Sequence, residues 1–498
     1  MTVDEKRRNR AGAREWAGLA VLALPLLVLA MDVSVLYLAA PHLTAQLRPT
    51  STQALWIMDA YGFLIAGFLV TMGTLGDRIG RRRLLLIGSA AFAAASLLAA
   101  FAPSAELLIT ARALLGITGA TLMPSTLALI RTMFTDPAQR SVAIAVWMTT
   151  FTAGVAVGPL IGGMLLEAFW WGSVFLLAVP VMALVLLLGP WLLPEHRPQH
   201  AGRLDPASVL LSLLTIVPVV YGFKEIAHHG PDLVPLAALV IGAVAGALFV
   251  RRQRRMSDPL VDVRLFNNRT FSTALVLLLM GLLVVNGVFY LVPQFLQGVA
   301  GLSPLRTGMW LTVVAIASAG SSLLAPVVAR RWGPARVIAA GAVISVVGFV
   351  LFTALDGSSA PAAVLATALV TAGLSPMGVL TTDLVVGSAP PERTGAAAAL
   401  SETSGELGVG LGVAVMGTMV TAVYQAQMSG APAQAGETLA GAVALAEQQH
   451  APTAAGVLEA AREAFTSGIN IVGIIGAVVL AGLAVAAIGL LRPAPDNS

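Results

Sequence analysis

The sequence contains no cysteine and few charged residues. Without cysteine the chain cannot form a disulfide, a thiolate metal site or a cysteine nucleophile. Charged residues make up 11% of its 498 positions, whereas a soluble domain carries roughly 25%. A chain with so little charge cannot cover its surface in water, so most of that surface must face lipid. Apolar residues, at 57%, supply the required composition.

Lysine is also nearly absent, since only Lys6 and Lys224 occur. Neither stands in the Gly-rich context of a phosphate-binding P-loop, which excludes ATP hydrolysis by that route. The six histidines lie at the ends of apolar runs or between them, so no metal site or base cluster is indicated inside the membrane. The net charge of +4 comes from short basic clusters, a distribution that does not indicate nucleic-acid binding. We expect a transporter rather than an enzyme, without a metal or cofactor.

Fourteen stretches of the chain are long and apolar enough to cross a bilayer, for which a helix needs about 20 residues. Six lie within residues 16–193, two within 194–270 and six within 271–491, and short tails occupy 1–15 and 492–498. The sequence therefore predicts an all-α polytopic membrane protein. Its two six-helix bundles are joined by a linker that holds two further spans.

The basic residues fit this arrangement, because almost all of them fall on one side of the predicted membrane. Under the positive-inside rule, the loops that carry most of the lysine and arginine remain in the cytoplasm. We therefore expect a multi-pass protein of the bacterial inner membrane with both termini in the cytoplasm. The exceptions are Arg48, Arg112, Lys224, Arg306 and Arg462.

A basic turn containing glycine occurs twice. Residues 76–83 (GDRIGRRR) join the second and third spans, and residues 329–336 (ARRWGPAR) join the tenth and eleventh. Their equivalent positions in the two six-helix halves indicate an internal repeat. The longest connection, residues 425–464, is rich in Ala, Gly and Gln and is predicted to lie outside. It fits either two short amphipathic helices in a hairpin cap or a solvated connector.

Several motifs follow one another along the chain in a specific order. The first span carries LAMDVSV at 29–35, and the second opens with WIMDAY at 56–61. The basic loop at 73–82, the fourth-span pattern L-x-x-x-R-x-x-x-G at 108–116 and the fifth-span glycines at 154–163 complete the set. These motifs resemble the major facilitator superfamily, and specifically its fourteen-helix drug:proton antiporter branch. That branch exports quaternary ammonium compounds, methyl viologen, dyes and fluoroquinolones.

This resemblance implies the major facilitator fold and a secondary active transporter. The chain would be a proton-coupled multidrug efflux antiporter that exports lipophilic, mostly cationic compounds by alternating access. Its partners would be those small molecules and the lipid bilayer, with protons as the coupling ion. We expect a monomer.

The basic loop resembles the family's cytoplasmic gate motif. Its glycines allow a tight turn, and Asp77 can pair with the N-terminus of a neighbouring helix or with an arginine. The alternative is a positively charged anchor that only fixes topology. The motif residues are Gly73, Gly76, Asp77, Arg78, Gly80, Arg81 and Arg82.

The fifth span resembles the antiporter motif that separates exporters from importers. Glycines spaced four apart present a smooth face to a neighbouring helix, and a proline adds a kink. Helix packing alone would also explain the spacing. The motif residues are Gly154, Gly158, Pro159, Gly162 and Gly163.

Arg112 occupies the position of the family's proton-transfer motif. An arginine in hydrocarbon costs a few kcal/mol or more, so it should face a cavity or a carboxylate. The alternative is that its side chain extends to the outer membrane surface. This chain has Leu115 where the family often has glutamine.

Five acidic residues lie within predicted spans, where each needs a proton, a partner or a water-filled cavity. Asp32, Glu402 and Glu406 are the candidate proton or cation sites. Asp32 lies well within the first span, and the two glutamates share one helix face, so they are expected to titrate as a coupled pair. A proton favours their neutral form and a cationic cargo favours their ionised form, so the two compete. Asp59 is a secondary candidate, and Asp383 is a candidate gate or helix-end residue.

Three aromatic residues lie near these acids: Tyr37, Trp56 and Tyr61. They would form a cation–π pocket for cargo, or they are ordinary packing residues. Within transport, the alternative function is export of one specific neutral metabolite or antibiotic. A membrane-embedded enzyme is the alternative from another class.

Overall fold

The computed structural model describes residues 11–490 with short gaps. The gaps fall at positions 48, 50, 196–204, 230–231, 257–258, 303, 357–359, 391–392, 433–434, 437 and 449–451. Some side chains within the helices also lie outside the described part, including those of Tyr37, Asp59 and Pro159.

The described residues form long helices and no strands. In chain order they are α1 (Ala13–Leu47), α2 (Ser51–Ile79), α3 (Arg81–Ala100), α4 (Ala105–Met133), α5 (Pro137–Ala168), α6 (Ala178–Leu192), α7 (Pro206–His229), α8 (Leu233–Gln253), α9 (Arg269–Gln294), α10 (Pro304–Trp332), α11 (Pro334–Phe352), α12 (Ala360–Ser388), α13 (Thr394–Gln427) and α14 (Pro452–Leu490).

These helices match the predicted membrane spans. Thirteen helical segments are long and apolar enough to cross a bilayer, and α5 adds a fourteenth that is bent by 41° between Pro137–Val155 and Leu160–Ala168. The bend coincides with the Gly-Pro step of the fifth-span motif, and proline is a common cause of helix kinks. The predicted all-α membrane fold is confirmed, and the fourteen predicted spans match the thirteen membrane-length helices plus the bent α5.

The segment predicted as the loop 425–464 is largely helical. α13 continues to Gln427, and α14 begins at Pro452 rather than at Phe465. Residues 455–464 are rich in Ala, Glu and Arg, which favour helix without being apolar, so hydropathy alone misses this extension. A further helix, Leu439–Gln448, lies between α13 and α14.

This connecting segment packs against the end of α9. Arg462 Nε donates to the carbonyl of Gly298, 3.0 Å away. A Cβ on Gly298 would lie 2.6 Å from the Leu439 side chain. The Tyr424 hydroxyl donates to the carbonyl of Ala435 at 2.6 Å. The structure therefore shows a folded segment with one separate short helix and an extended α14, rather than the predicted pair of short helices or a solvated connector.

The chain divides into two compact units. The first comprises Met1–Gly222, Leu236–Leu275 and Thr381–Glu406, and the second comprises the remainder. In the first unit α1 packs on α5, and α4 packs on both α2 and α3. In the second unit α11 packs on α14. The predicted bundle boundaries at 16–193, 194–270 and 271–491 stay a prediction.

The two basic turns share one backbone conformation. Gly80 has φ 105° and ψ 132°, and Gly333 has φ 80° and ψ 151°. Each directly precedes a helix, α3 and α11 respectively. Only glycine adopts such positive φ values without strain. The internal repeat that the sequence indicates is thus visible in the backbone.

Candidate functional site

Arg112 forms a buried ion pair with Asp32. The arginine side chain is 1% exposed, and its Nη1 donates to Asp32 Oδ2. Its Nε donates to the carbonyl of Ile57, 3.1 Å away. Arg112 therefore connects α4 to both α1 and α2. The guanidinium faces a carboxylate inside the protein, the arrangement expected if the arginine does not extend to the membrane surface.

Tyr61 lies beneath this ion pair. The guanidinium carbon of Arg112 is 4.5 Å from the centre of the Tyr61 ring, close enough for a cation–π interaction. The tyrosine is buried, and its hydroxyl has no hydrogen-bond partner among the described residues. One face of the ring predicted to receive cargo is thus occupied by Arg112.

Glycines allow the helices to approach this cluster closely. A Cβ on Gly116, one turn beyond Arg112, would lie 2.6 Å from the Tyr61 carbonyl oxygen. On α5, a Cβ on Gly154 would lie 2.7 Å from Ala30, and one on Gly162 would lie 2.5 Å from Val35. The fifth-span motif therefore packs against α1 on both sides of Asp32. Of its other members, Gly158 is buried, Gly163 is half-buried, and the Pro159 side chain lies outside the described part.

A small cavity lies beside Asp32. Its volume is about 20 Å³, and its walls include Asp32, Val35, Phe175 and Ala178. A water molecule needs roughly 10–15 Å³ of such space and polar partners. The cavity can therefore hold a water against the carboxylate, but it cannot hold a drug-sized molecule.

Glu402 and Glu406 lie one turn apart on α13, and both are half-buried. Among the described residues Glu402 makes no hydrogen bond or ion pair. Neither glutamate belongs to the wall of the cavity beside Asp32. That cavity therefore does not bring the three carboxylates together.

A second cluster lies at the end of the helix bundle where the basic loops are found. This end is here named the basic end. Asp77 accepts hydrogen bonds from the backbone N–H groups of Gly395 and Ala396, at 2.8 and 2.9 Å. Arg81 donates to the same carboxylate from Nε and Nη2, at 3.1 and 3.0 Å. Asp77 therefore caps the N-terminus of α13, where a carboxylate is favourable.

The contact between α2 and α13 requires glycine on both helices. A Cβ on Gly395 would lie 2.5 Å from both Asp77 Oδ1 and the Gly73 carbonyl oxygen. A Cβ on Gly73 would lie 2.5 Å from the Gly395 carbonyl oxygen and from the Ala399 Cβ. Any side chain at either position would separate the helices and break the cap.

Other residues of the basic loop have separate contacts. Arg82 donates to the carbonyls of Pro190 and Leu193 at 3.2 and 3.1 Å, which ties α3 to the end of α6. Arg78 is buried. A Cβ on Gly76 would lie 3.2 Å from the Leu84 side chain, and one on Gly80 would lie 2.5 Å from the Glu195 carboxylate.

The end of α12 is held by α4 and α5. Arg140 Nε lies 2.6 Å from Asp383 Oδ1, and the Ser141 hydroxyl donates to Asp383 Oδ2. Arg131 donates to the carbonyl of Val386. Sequence reasoning placed Asp383 at a helix end but missed its partners, because their basic side chains could be read only as topological signals.

Of the remaining predicted residues, the structure describes the side chain of Trp56, which makes no contact with either cluster among the described residues. Trp56 is 45% exposed and packs edge-on against Phe63, with ring centres 6.0 Å apart. The side chains of Asp59 and Tyr37 lie outside the described residues. Their assignments, like the functional roles of the residues above, stay predictions.

Known proteins of similar sequence are transporters or drug-resistance proteins. The chain matches the Major Facilitator Superfamily over residues 22–413. It is 44% identical over 493 residues to the multidrug efflux pump LfrA of Mycolicibacterium smegmatis, covering 97% of this chain and 98% of that protein. It is 35% identical over 466 residues to the methyl viologen resistance protein SmvA of Salmonella typhimurium, covering 91% and 93%.

One solved structure and one further relative extend this similarity. The crystal structure of the human organic anion transporter MFSD10 (TETRAN) superposes with a TM-score of 0.61 at 16% identity, covering 94% of this chain and 99% of that chain. At that identity the likeness concerns the fold alone. The puromycin resistance protein pur8 of Streptomyces alboniger is 33% identical over 430 residues, covering 84% of this chain and 85% of that protein.

Proposed function

The chain belongs to the Major Facilitator Superfamily and is a transporter, and from that premise we propose that it is a proton-coupled multidrug efflux antiporter of the bacterial inner membrane. Its cargo is lipophilic and mostly cationic. The names of two relatives support drug export and cationic cargo, because one is a multidrug efflux pump and another confers resistance to methyl viologen, which is a dication.

The observation that carries this proposal is the Asp32–Arg112–Tyr61 cluster. A half-buried aspartate whose hydrogen-bond partner among the described residues is one arginine, beside a cavity of about 20 Å³, can meet a proton through a single water. Protonation of Asp32 removes its charge and weakens its attraction for Arg112. In this proposal the change at Asp32 is coupled to the protonation of Glu402 and Glu406 on α13. The three carboxylates act as one set, occupied alternately by protons and by cargo.

The available energy is sufficient for such an exchange. One pH unit supplies about 1.36 kcal/mol per proton, and a charge moved through 100 mV supplies about 2.3 kcal/mol. Exchange of one proton for one monovalent cation is electroneutral, so it runs on the pH difference alone. A higher proton count would add the membrane voltage.

The basic-end contacts act as the cytoplasmic gate in this proposal. The Asp77 cap on α13 and the Asp383 pair with Arg140 join helix ends from the two halves of the sequence. Opening towards the cytoplasm breaks these contacts, and opening outward leaves them in place. Under this assignment both termini lie in the cytoplasm, and the transporter works as a monomer.

A second candidate is export of one specific antibiotic. It is favoured by the similarity to the puromycin resistance protein pur8 and to the tetracenomycin C resistance and export protein of Streptomyces glaucescens, which is 31% identical over 411 residues. Such a transporter would recognise a single compound and would not respond to a range of cations.

Transport in proteoliposomes distinguishes these candidates. Purified protein is reconstituted with an imposed pH gradient, and the uptake of ethidium, methyl viologen and puromycin is measured with and without a protonophore. We expect gradient-driven movement of both cations, loss of that movement with the protonophore, and little movement with Asp32→Asn. Movement of puromycin alone would favour the second candidate, and cation movement that ignores the pH gradient would contradict proton coupling.

A further inference from the structure

Helix α7 packs directly against α2, the helix that carries the gate motif. A Cβ on Gly67 of α2 would lie 2.8 Å from Val217 and 3.1 Å from Leu213, both on α7. Phe63 of α2 and Tyr221 of α7 pack edge-on, with ring centres 6.1 Å apart. The first helix of the α7–α8 pair is therefore in direct contact with α2.

The chain leaving α8 contains a buried segment, the strap (residues 259–261), within an otherwise polar linker. Gln253, at the end of α8, is 2% exposed and holds the strap with its side chain. Its Oε1 accepts hydrogen bonds from the backbone N–H groups of Leu260 and Val261, at 2.6 and 3.3 Å. Its Nε2 donates to the hydroxyl of Ser208 on α7, 2.8 Å away. One amide thus joins α7, α8 and the strap.

The strap also touches both helices of the Asp77 contact. Thr74 of α2 is 1% exposed. Its hydroxyl lies 2.9 Å from the carbonyl oxygen of Leu260 and 3.0 Å from that of Val70 on its own helix, so the two acceptors share its single proton. Thr74 lies directly after Gly73, at the crossing with α13. On the other side, Arg393, immediately before α13, donates to the carbonyl of Pro259 at 3.3 Å. The strap therefore spans the position where α2 and α13 meet.

We propose that Gln253 and Thr74 are positioning residues, which hold α2 and α13 together at the basic end by way of the strap. The α7–α8 pair then takes part in the conformational cycle. When α2 and α13 separate, the Thr74 contact breaks, and the strap remains with Gln253. When they close, the strap presents a fixed carbonyl to Thr74. As a statement about transport this rests on the proposed function, but the contacts themselves can be tested without transport.

The absence of cysteine makes a direct test possible. Ser401→Cys introduces one thiol at a position of α13 that is 2% exposed, and its rate of reaction with a small maleimide reports opening. We expect Thr74→Val and Gln253→Leu to raise that rate about tenfold, the equivalent of one lost buried hydrogen bond. Thr74→Ser keeps the hydroxyl, so it should stay near the parent rate.

The matched control is Arg255→Gln, which changes an exposed residue beyond the end of α8 and should not alter labelling. Thr74→Val preserves the shape of the side chain, so it tests the proposal even if Gln253→Leu does not fold. Unchanged labelling in Thr74→Val would overturn the proposal, as would equal increases in Thr74→Val and Thr74→Ser.

A transport assay separates this proposal from the proposed function. In proteoliposomes we expect Thr74→Val to lower the turnover rate while the pH profile keeps its midpoint, because no carboxylate of the proton site is altered. A shifted midpoint would overturn the assignment of Thr74 to positioning. If the unsubstituted protein moves none of the tested cations, the proposed function fails, whereas the labelling result still decides whether the strap holds the helices.

Discussion

Asp77 and Asp32 each pair with an arginine, but the two aspartates differ in how they are bound. Asp77 is held by Arg81 one turn away and by two backbone N–H groups of another helix, so both of its oxygens are occupied. Among the described residues Asp32 is hydrogen-bonded by Arg112 of another helix alone, and it borders a cavity. The first carboxylate can change partners only if helices move apart. The second can exchange a proton or partner while the backbone stays in place.

This difference assigns the two pairs to different tasks. The bonds of Asp77 to backbone groups form only when the two helices are in contact, so this carboxylate is suited to hold the helices together as a latch. The bond of Asp32 to a side chain beside a water-sized cavity can change with its protonation, so this carboxylate is suited to proton coupling. Substitutions at the Asp32 pair should therefore alter the pH dependence of transport, and substitutions at the Asp77 pair should alter the contact between the helices.

Arg112→Ala should have the largest effect, because it leaves Asp32 buried without its partner. Removing one member of a buried ion pair costs about 3–5 kcal/mol, and we also expect efflux of a fluorescent cation to fall to background. Arg112→Lys should not restore transport, since lysine lacks the planar group that stacks on Tyr61. Thermal unfolding in detergent and dye efflux in cells measure the two effects. Efflux by Arg112→Ala at the parent rate would contradict the coupling role.

Gly395→Ala tests the latch, because its new Cβ would overlap Asp77 and the Gly73 carbonyl. Overpacking of this kind costs about 1–3 kcal/mol, so we expect a lower melting temperature. Gly410→Ala is the control on the same helix, since a Cβ there meets nothing within 4 Å and alanine favours helix. Equal melting temperatures for the two variants would show that the close contact of α2 and α13 is not needed.

Tyr61→Phe and Tyr61→Leu separate the ring from the hydroxyl. The ring interacts with Arg112 by about 0.5–2 kcal/mol, so the leucine variant should lose stability and the phenylalanine variant should not. If the hydroxyl also links Asp32 to Glu406, Tyr61→Phe should alter the pH profile of transport while the melting temperature holds. An unaltered pH profile in Tyr61→Phe would remove the hydroxyl from the coupling route.

The smallest effect is expected at an exposed ion pair outside both clusters. Hydrogen bonds from Arg252 and Ser208 lower the pKa of Asp205 from its usual value. A lowered pKa means that the carboxylate stabilises the folded protein above about pH 4 and loses this contribution as the pH falls further. Asp205→Asn should cost at most about 1 kcal/mol at pH 7, and the difference from the parent should shrink in acid. Melting temperatures at pH 7 and pH 3 measure it, and a difference that grows in acid would contradict the sign.

The sequence predicts the helices well and their partners poorly. Apolar length and charge bias indicate the spans, because membrane insertion depends on those properties alone. Asp32 and Arg112 each stand out as charges in hydrocarbon, but their pairing depends on which helices are neighbours, and 80 residues separate them. Gly395 could not be recognised, since nothing local shows that another helix crosses there.

For Tyr61, too, the sequence shows the residue type but not the neighbouring side chains. Its aromatic ring near acidic residues predicts a cargo contact, and the structure places Arg112 over one face of the ring instead. The contacts of the strap could not be predicted, because three apolar residues in a linker do not indicate which helices they pack against. The start of α14 was misplaced because helix formers can extend a span beyond the membrane.

The most direct measurement is proton release on cation binding. Ethidium is added to purified protein in weakly buffered detergent solution, and the change in pH is recorded beside the bound fraction. The account predicts that the parent protein releases protons as it binds the cation. It also predicts that a variant combining Asp32→Asn, Glu402→Gln and Glu406→Gln releases none. Binding of the cation by the parent protein with no change in proton content would contradict competition between protons and cargo at these carboxylates.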